Sequence, residues 1–222
     1  MNIPETFENR AEAAEMLAHS LREYKGRNPL ILAIPRGAVP MGKVIADSLG
    51  GELDIVLVHK LSAPFNPELA VGAIDETGWA YIAPYALECG ASGSYLQQEK
   101  SRQLQVLRKR RAQYTPFKPP IDANGRISIV VDDGLATGAT MIAALHATRA
   151  RKPAELVCAV PVAAPDSIEQ IRPLADKIVC LSTPAYFGAV GNFYRSFPQI
   201  DDDEVIGILS RYRKGAQPGI PP

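Results

Sequence analysis

Two kinds of apolar pattern alternate along the chain: short unbroken runs, and longer stretches in which apolar residues recur every three to four positions. Ala13, Met16, Leu17, Leu21 and Tyr24 follow the second pattern between polar residues, so Ala11–Tyr24 reads as an amphipathic helix that Gly26-Arg27-Asn28-Pro29 ends. Leu30–Ile34 is a continuous apolar run, the mark of a strand covered on both faces. A loop at Pro35-Arg36-Gly37-Ala38 leads into a helix over Val39–Leu49 and a second buried strand over Leu53–Val58. His59–Glu68 contains two prolines and little periodicity. Leu69–Ile74 and Trp79–Ala83 are short strands around Asp75-Glu76-Thr77-Gly78, which suits a hairpin turn. Tyr95–Tyr114 is a long, strongly charged helix, ended by Pro116, Pro119 and Pro120.

The regular alternation then resumes. Ile127–Val131 is a buried strand, Gly138–Arg151 a helix, Glu155–Val162 a strand, Pro165–Leu174 a short helix and Lys177–Leu181 a strand. Thr183–Gln199 is irregular and aromatic, Asp203–Tyr212 a last helix, and the end of the chain, 215–222, is expected to be disordered. Strands alternating with helices predict an α/β fold with a mainly parallel central sheet flanked by helices. Its length, 222 residues, suits a single domain.

Composition narrows the function. Lys plus Arg equals Asp plus Glu at 24 each, so no global field draws the chain to nucleic acid or an anionic membrane. Any affinity for a phosphate-rich ligand must arise locally. No apolar run approaches the roughly 20 residues that span a bilayer. Cys89, Cys158 and Cys180 form no CxxC pair, and two of them sit in apolar runs, which predicts structural thiols. An odd cysteine count without a signal peptide points to a reducing cytoplasm.

The informative segment runs from Ile127 to Thr140. A buried strand ends in Asp132 and Asp133, then Gly134-Leu135-Ala136-Thr137-Gly138-Ala139-Thr140 forms a small-residue, hydroxyl-rich turn that opens a helix. Helix N-termini present unpaired N–H groups and positive potential. Gly138 and Ala139 allow close backbone approach, and Thr137 and Thr140 add hydroxyl donors, which together make a cradle for one phosphate. The carboxylates cannot attract a phosphate, but they suit the hydroxyls of a sugar beside it. A ribose 5-phosphate satisfies both halves. No Walker A motif and no GxGxxG after a strand is present.

These residues resemble the phosphoribosyl pyrophosphate signature of the type I phosphoribosyltransferases. Ile34-Pro35-Arg36-Gly37-Ala38-Val39-Pro40 occupies the place of that family's pyrophosphate loop, and Val58-His59-Lys60 that of a basic strand end facing pyrophosphate. Ser62–Tyr114 corresponds to its mobile loop region, with a helical insertion, and Thr183–Gln199 with the N-terminal segment to its small hood. The chain is most similar to bacterial members whose substrate is unsettled.

The resemblance implies displacement of pyrophosphate from ribose C1 by a nitrogen of a planar, nucleobase-like acceptor. It assigns Arg36, Gly37, Ala38 and Lys60 to pyrophosphate, Gly134–Thr140 to the 5-phosphate, and Asp132 and Asp133 to the ribose. It further implies Mg2+, held mainly by the substrate near Asp132 and Asp133, and paired subunits in a homodimer. Ala136 stands where hypoxanthine-guanine enzymes carry an aspartate, which leans away from 6-oxopurines. Phe187, among Tyr186, Phe193 and Tyr194, is the candidate for stacking on the acceptor; these rings serve equally as core. The run Asp201–Glu204 is expected to cap a helix. Glu99–Arg111 carries six basic residues above an apolar stripe and reads as a solvated helix, or a lid. The alternative function is a regulator that senses phosphoribosyl pyrophosphate and binds nucleic acid or a protein.

Overall fold

The computed structural model describes residues 3–114 and 120–212. The proline stop at Pro116 and Pro119 and the tail at 215–222 lie outside the described residues. α1 (Arg10–Ser20) starts where the Asn9 side chain accepts from the N–H groups of Ala11 and Glu12 at 2.9 and 3.1 Å. The expected helix to Tyr24 tightens into a 3-10 turn at Arg22–Tyr24, and the Tyr24 hydroxyl donates to Glu155 at 2.5 Å.

Five strands form the main sheet: β1 (Leu30–Ala33), β2 (Glu52–Ile55), and, after the insertion described next, three strands in the second half of the chain. β3 (Val58–Ala63), β4 (Asn66–Asp75) and β5 (Ala80–Ile82) form a separate antiparallel sheet. α2 (Ala38–Leu49) connects β1 to β2, and α3 (Gly93–Tyr114) follows β5. β6 (Ile127–Val131), β7 (Glu155–Val162) and β8 (Lys177–Ser182) complete the main sheet, with α4 (Ala139–Arg149) and α5 (Pro165–Ile171) as crossovers and α6 (Asp202–Tyr212) last. The order is β2-β1-β6-β7-β8, and every pairing is parallel.

Side-chain alternation divides the core. Ile31, Ala33, Ile129, Val131 and Val157 pack with α1 and α2, while Leu30, Leu32, Val130, Leu156, Cys158 and Val160 pack with α4. Both faces are covered, which is why these strands read as unbroken apolar runs.

Two expectations need correction. The single strand expected over Leu53–Val58 is two, because the chain leaves the main sheet at Val56-Leu57 and enters the second at Val58. The aperiodic stretch His59–Glu68 is the heart of the β3–β4 hairpin. Register shifts between Leu61, Ser62 and Ala63 break its alternation, and it lies between α3 and α4 with both faces contacted. Among the described residues no helix is long and apolar enough to cross a membrane.

Candidate active site

The site lies at the carboxyl ends of the parallel strands, where open α/β sheets bind ligands. The turn after β6 is fixed from behind. Leu135 N–H donates to Val162 O at 2.9 Å, Ala164 N–H to Leu135 O at 2.9 Å, and Ser167 Oγ to Ala136 O at 2.6 Å. Leu135 is buried and serves as the plug, whereas Ala136 and Thr137 are exposed. Gly138 has φ +72°, the left-handed region, so α4 begins one residue later than expected. Its first intrahelical bond runs from Ile142 N–H to Gly138 O at 2.9 Å, so the amides from Ala139 to Met141 have no partner inside the helix. Gly134 fits tightly: a Cβ there would lie 2.6 Å from Cγ1 of Val190 in the hood. The sequence-predicted residues Gly134 to Thr140 thus form one continuous segment, a turn that runs into the first residues of α4.

Asp132 and Asp133 are both half-buried, but they are not equivalent. Asp132 Oδ1 accepts the N–H of Asp133 at 2.9 Å. Asp133 Oδ2 accepts from Arg10 Nε at 3.0 Å and lies 2.9 Å from Arg10 Nη2. Burial, and then the neighbouring Asp133 carboxylate, push Asp132 well above the ordinary carboxylate range. Burial also raises Asp133, and the Arg10 guanidinium opposes it.

Gly37 brings the β1–α2 loop against this pair. A Cβ on Gly37 would sit 2.1 Å from Asp133 Oδ2, so only glycine fits. The peptide joining Pro35 and Arg36 is cis. Arg36 is turned to α6, its Nη1 3.7 Å from Asp202 Oδ1, and the same oxygen accepts from the Tyr114 hydroxyl at the end of α3. Ala38, the first residue of α2, is buried. Lys60 lies opposite Ala73 in the β3–β4 ladder, on the face that Val58 and Ala73 turn to α4. His59, on the other face, sets Nδ1 2.9 Å from Lys60 O, and burial lowers its pKa.

The hood is joined to the N-terminal segment. Phe7 N–H donates to Phe193 O and Arg195 N–H to Phe7 O, both at 2.9 Å. Tyr194 donates its hydroxyl to Asp133 O at 2.7 Å and stacks on Phe197 with centroids 4.8 Å apart. Phe187 leans on Phe193, centroids 5.0 Å apart, and is partly buried, while Tyr186 is 94% exposed. Asp201 caps α6 through Glu204 N–H at 2.8 Å, as expected of the acidic run. The three cysteines are free. On α3, Glu99, Gln103, Leu107 and Tyr114 form the buried stripe, and Glu99 holds both Arg102 and Gln103.

Sequence reasoning missed Arg10, Tyr114, Asp202 and Tyr194 as partners of the site. Arg10 opens a helix with no motif around it, and Asp202 is hidden inside a capping run.

Comparison with known proteins gives a consistent result. A family model described as a phosphoribosyl transferase domain matches residues 5–193. Relatives from two strains of Mycobacterium tuberculosis, both named for phosphoribosyl transfer, are 39% identical over 215 residues, 96% of this chain. The chain spans about half, 48%, of the length of those relatives. The crystal structure of TT1426 from Thermus thermophilus superposes with a TM-score of 0.78 at 43% identity, over 93% of this chain and 99% of that one.

Proposed function

The chain belongs to the phosphoribosyl transferase domain family, and on that premise we propose that it transfers ribose 5-phosphate from phosphoribosyl pyrophosphate to a ring nitrogen of a planar acceptor, releasing pyrophosphate. The observation that carries this reading is the turn from Asp132 to Thr140. Free helix amides and a carboxylate stand there on one short segment, matched to the phosphate and the hydroxyls of a single sugar phosphate.

In this reading the amides of Ala139 and Thr140 and the hydroxyls of Thr137 and Thr140 hold the 5-phosphate. Carboxylate at the acidic pair accepts from the ribose hydroxyls and favours positive charge at C1. Gly37 and Ala38 lend backbone amides to pyrophosphate, Arg36 supplies the bidentate contact and Lys60 a mobile charge. Arg36 must exchange Asp202 for pyrophosphate, an exposed ion pair of at most about 1 kcal/mol. Catalysis is then positioning and electrostatics rather than covalent chemistry.

Mg2+ fits this donor set. Among the described residues no group of three or more His, Cys, Asp or Glu could hold a metal, so most ligands must come from substrate oxygens and water. Asp132 has one oxygen without a partner among the described residues and would hold the ion jointly with the ribose. When bound, the ion would neutralise charge on pyrophosphate.

The acceptor is a flat ring that stacks on the hood aromatics, with Phe187 as the contact. Ala136 leaves no carboxylate for a 6-oxopurine. The test is a nucleobase panel with phosphoribosyl pyrophosphate and Mg2+, read by pyrophosphate release. Adenine or another small heteroaromatic should react and hypoxanthine and guanine should not; efficient guanine turnover would overturn the Ala136 argument.

A further inference from the structure

We infer that the cavity between the β4–β5 hairpin, α4 and the 3-10 turn after α5 (Arg172–Leu174) is a second ligand site. It takes an uncharged, flat heteroaromatic ring, and filling it tightens the phosphate cradle. Binding of the ring stands on its own; the effect on the cradle rests on the reading above.

The cavity has a volume of about 320 Å3 and is lined by Trp79, Tyr81, Ile142, His146, Gln170 and Leu174. That volume is at the lower end of the range for small-ligand sites. Trp79 and Tyr81 lie on the face of the hairpin that packs with α4, and Ile142 and His146 are one turn apart on that helix. The walls are mainly apolar and aromatic, and three polar groups join them. The Tyr81 hydroxyl, His146 Nε2 and the Gln170 amide have no hydrogen-bond partner among the described residues. None of the six lining residues is Lys, Arg, Asp or Glu. Apolar walls with a few open polar groups and no fixed charge suit a neutral ring with donor and acceptor edges, and they disfavour a phosphate or a carboxylate.

The aromatic wall is preformed. The His146 ring stacks on Trp79, with centroids 3.5 Å apart and planes 7° from parallel. Its Nδ1 is buried without a hydrogen bond, 4.0 Å from Asp75 Oδ2. Asp75 is buried, and its Oδ1 accepts from Thr77 N–H, Thr77 Oγ1 and Trp79 N–H at 2.8, 2.6 and 3.1 Å. The hairpin turn therefore sets Trp79, and Trp79 sets the imidazole, so a ligand need not order them.

The helical walls bear directly on the cradle. Ile142 lines the cavity, and its N–H closes the first turn of α4 on Gly138 O at 2.9 Å. Gln170 lies one turn past Ser167 on α5, and Ser167 Oγ holds Ala136 O at 2.6 Å. The open cavity and the formed cradle belong to one conformation, so a ring that fills the first favours the second. By linkage, a ligand in the cradle tightens the ring by the same factor.

Trp79 is the only tryptophan of the sequence, so its fluorescence reports on this cavity. The probe is adenine, titrated into the wild type and into Tyr81→Phe, Gln170→Leu, Leu174→Phe and Phe187→Ala. The wild type should give a saturable change, and benzoate, flat but anionic, should give none. Tyr81→Phe and Gln170→Leu each remove one hydrogen bond and should weaken adenine by about 2- to 10-fold. Leu174→Phe fills the cavity and should weaken it by more than about 10-fold. Phe187→Ala, altered in the hood, should respond as the wild type does. In that variant, where the hood contact is removed, saturating adenine should tighten ribose 5-phosphate by about 5-fold in calorimetric titration. The inference is overturned by no saturable change in the wild type, by an equal response to benzoate, or by a response lost in Phe187→Ala. An undiminished response in Tyr81→Phe, Gln170→Leu and Leu174→Phe overturns it too. The first two alter side chains that are not buried, so they carry the test if Leu174→Phe does not fold. Fluorescence that varies with protein concentration alone would put a second copy on this face and also overturn it. Adenine binding without an effect on ribose 5-phosphate would overturn the coupling, whereas failure of ribose 5-phosphate to bind at all would overturn the proposed function.

Discussion

Asp132→Asn should make the ligand-free protein more stable while it removes ligand affinity. Asparagine keeps the size of the side chain and an oxygen that can accept the Asp133 N–H, so the change isolates charge. Burial disfavours the charged form of Asp132 most, and the neighbouring Asp133 carboxylate adds to it. Arg10 sits on Asp133 and offsets part of that at Asp132, so a net strain of about 1–2 kcal/mol remains. For a chain of this size that corresponds to a rise in Tm of about 2–8 °C. Asp132 has its native pKa raised by burial and by Asp133, so the wild type loses stability relative to the variant as pH rises through that value. The two proteins should melt alike below about pH 4, where the carboxyl is protonated in both states of the wild type, and separate towards neutrality. Thermal unfolding followed by circular dichroism across this range measures the difference. A variant that melts lower at neutral pH, or a difference that does not change with pH, would refute the reasoning.

Other expectations concern the rest of the site. Arg36→Ala should weaken pyrophosphate more than ribose 5-phosphate in competition titrations, since only pyrophosphate reaches that loop; equal losses would mean that Arg36 acts on folding. Asp202→Asn frees Arg36 and should tighten pyrophosphate by about 2- to 5-fold, the worth of an exposed pair. Phe187→Ala should raise the acceptor KM by about 10- to 100-fold with phosphoribosyl pyrophosphate binding intact; a drop in Tm with unchanged KM would make the Phe187–Phe193 contact simple packing. Despite the basic residues of α3, a random RNA hairpin should show negligible binding at physiological salt; micromolar, steeply salt-dependent binding lost on neutralising Arg108, Arg110 and Arg111 would favour a regulator.

What could be read from sequence follows the range of the forces involved. β6 and β7 match expectation at both ends, because strands covered on both faces leave unbroken apolar runs. The same signal merged β2 with β3, since Val56-Leu57 stays apolar where the chain changes sheets. The β3–β4 hairpin was obscured by its register shifts and by apolar packing on both faces. The turn from Asp132 to Thr140 was legible because its chemistry is local: the phosphate cradle and the carboxylates lie within nine consecutive residues. Arg10 was not, because it meets Asp133 across 123 positions and owes its place to tertiary packing of the hood. Asp202 meets both Arg36 and Tyr114, but it stands beside the cap Asp201 in an acidic run, and only the capping run leaves a local pattern.

The central claim is that the turn at the end of β6 holds the sugar phosphate of phosphoribosyl pyrophosphate. Calorimetric titration of the wild type and of a Thr137→Ala/Thr140→Ala variant with phosphoribosyl pyrophosphate and Mg2+ tests it most directly. The account predicts saturable binding of one ligand per chain, competition by ribose 5-phosphate, and a loss of about 10- to 100-fold when the two hydroxyl donors are removed. Absence of binding to the wild type, or equal affinity in the variant, would contradict it.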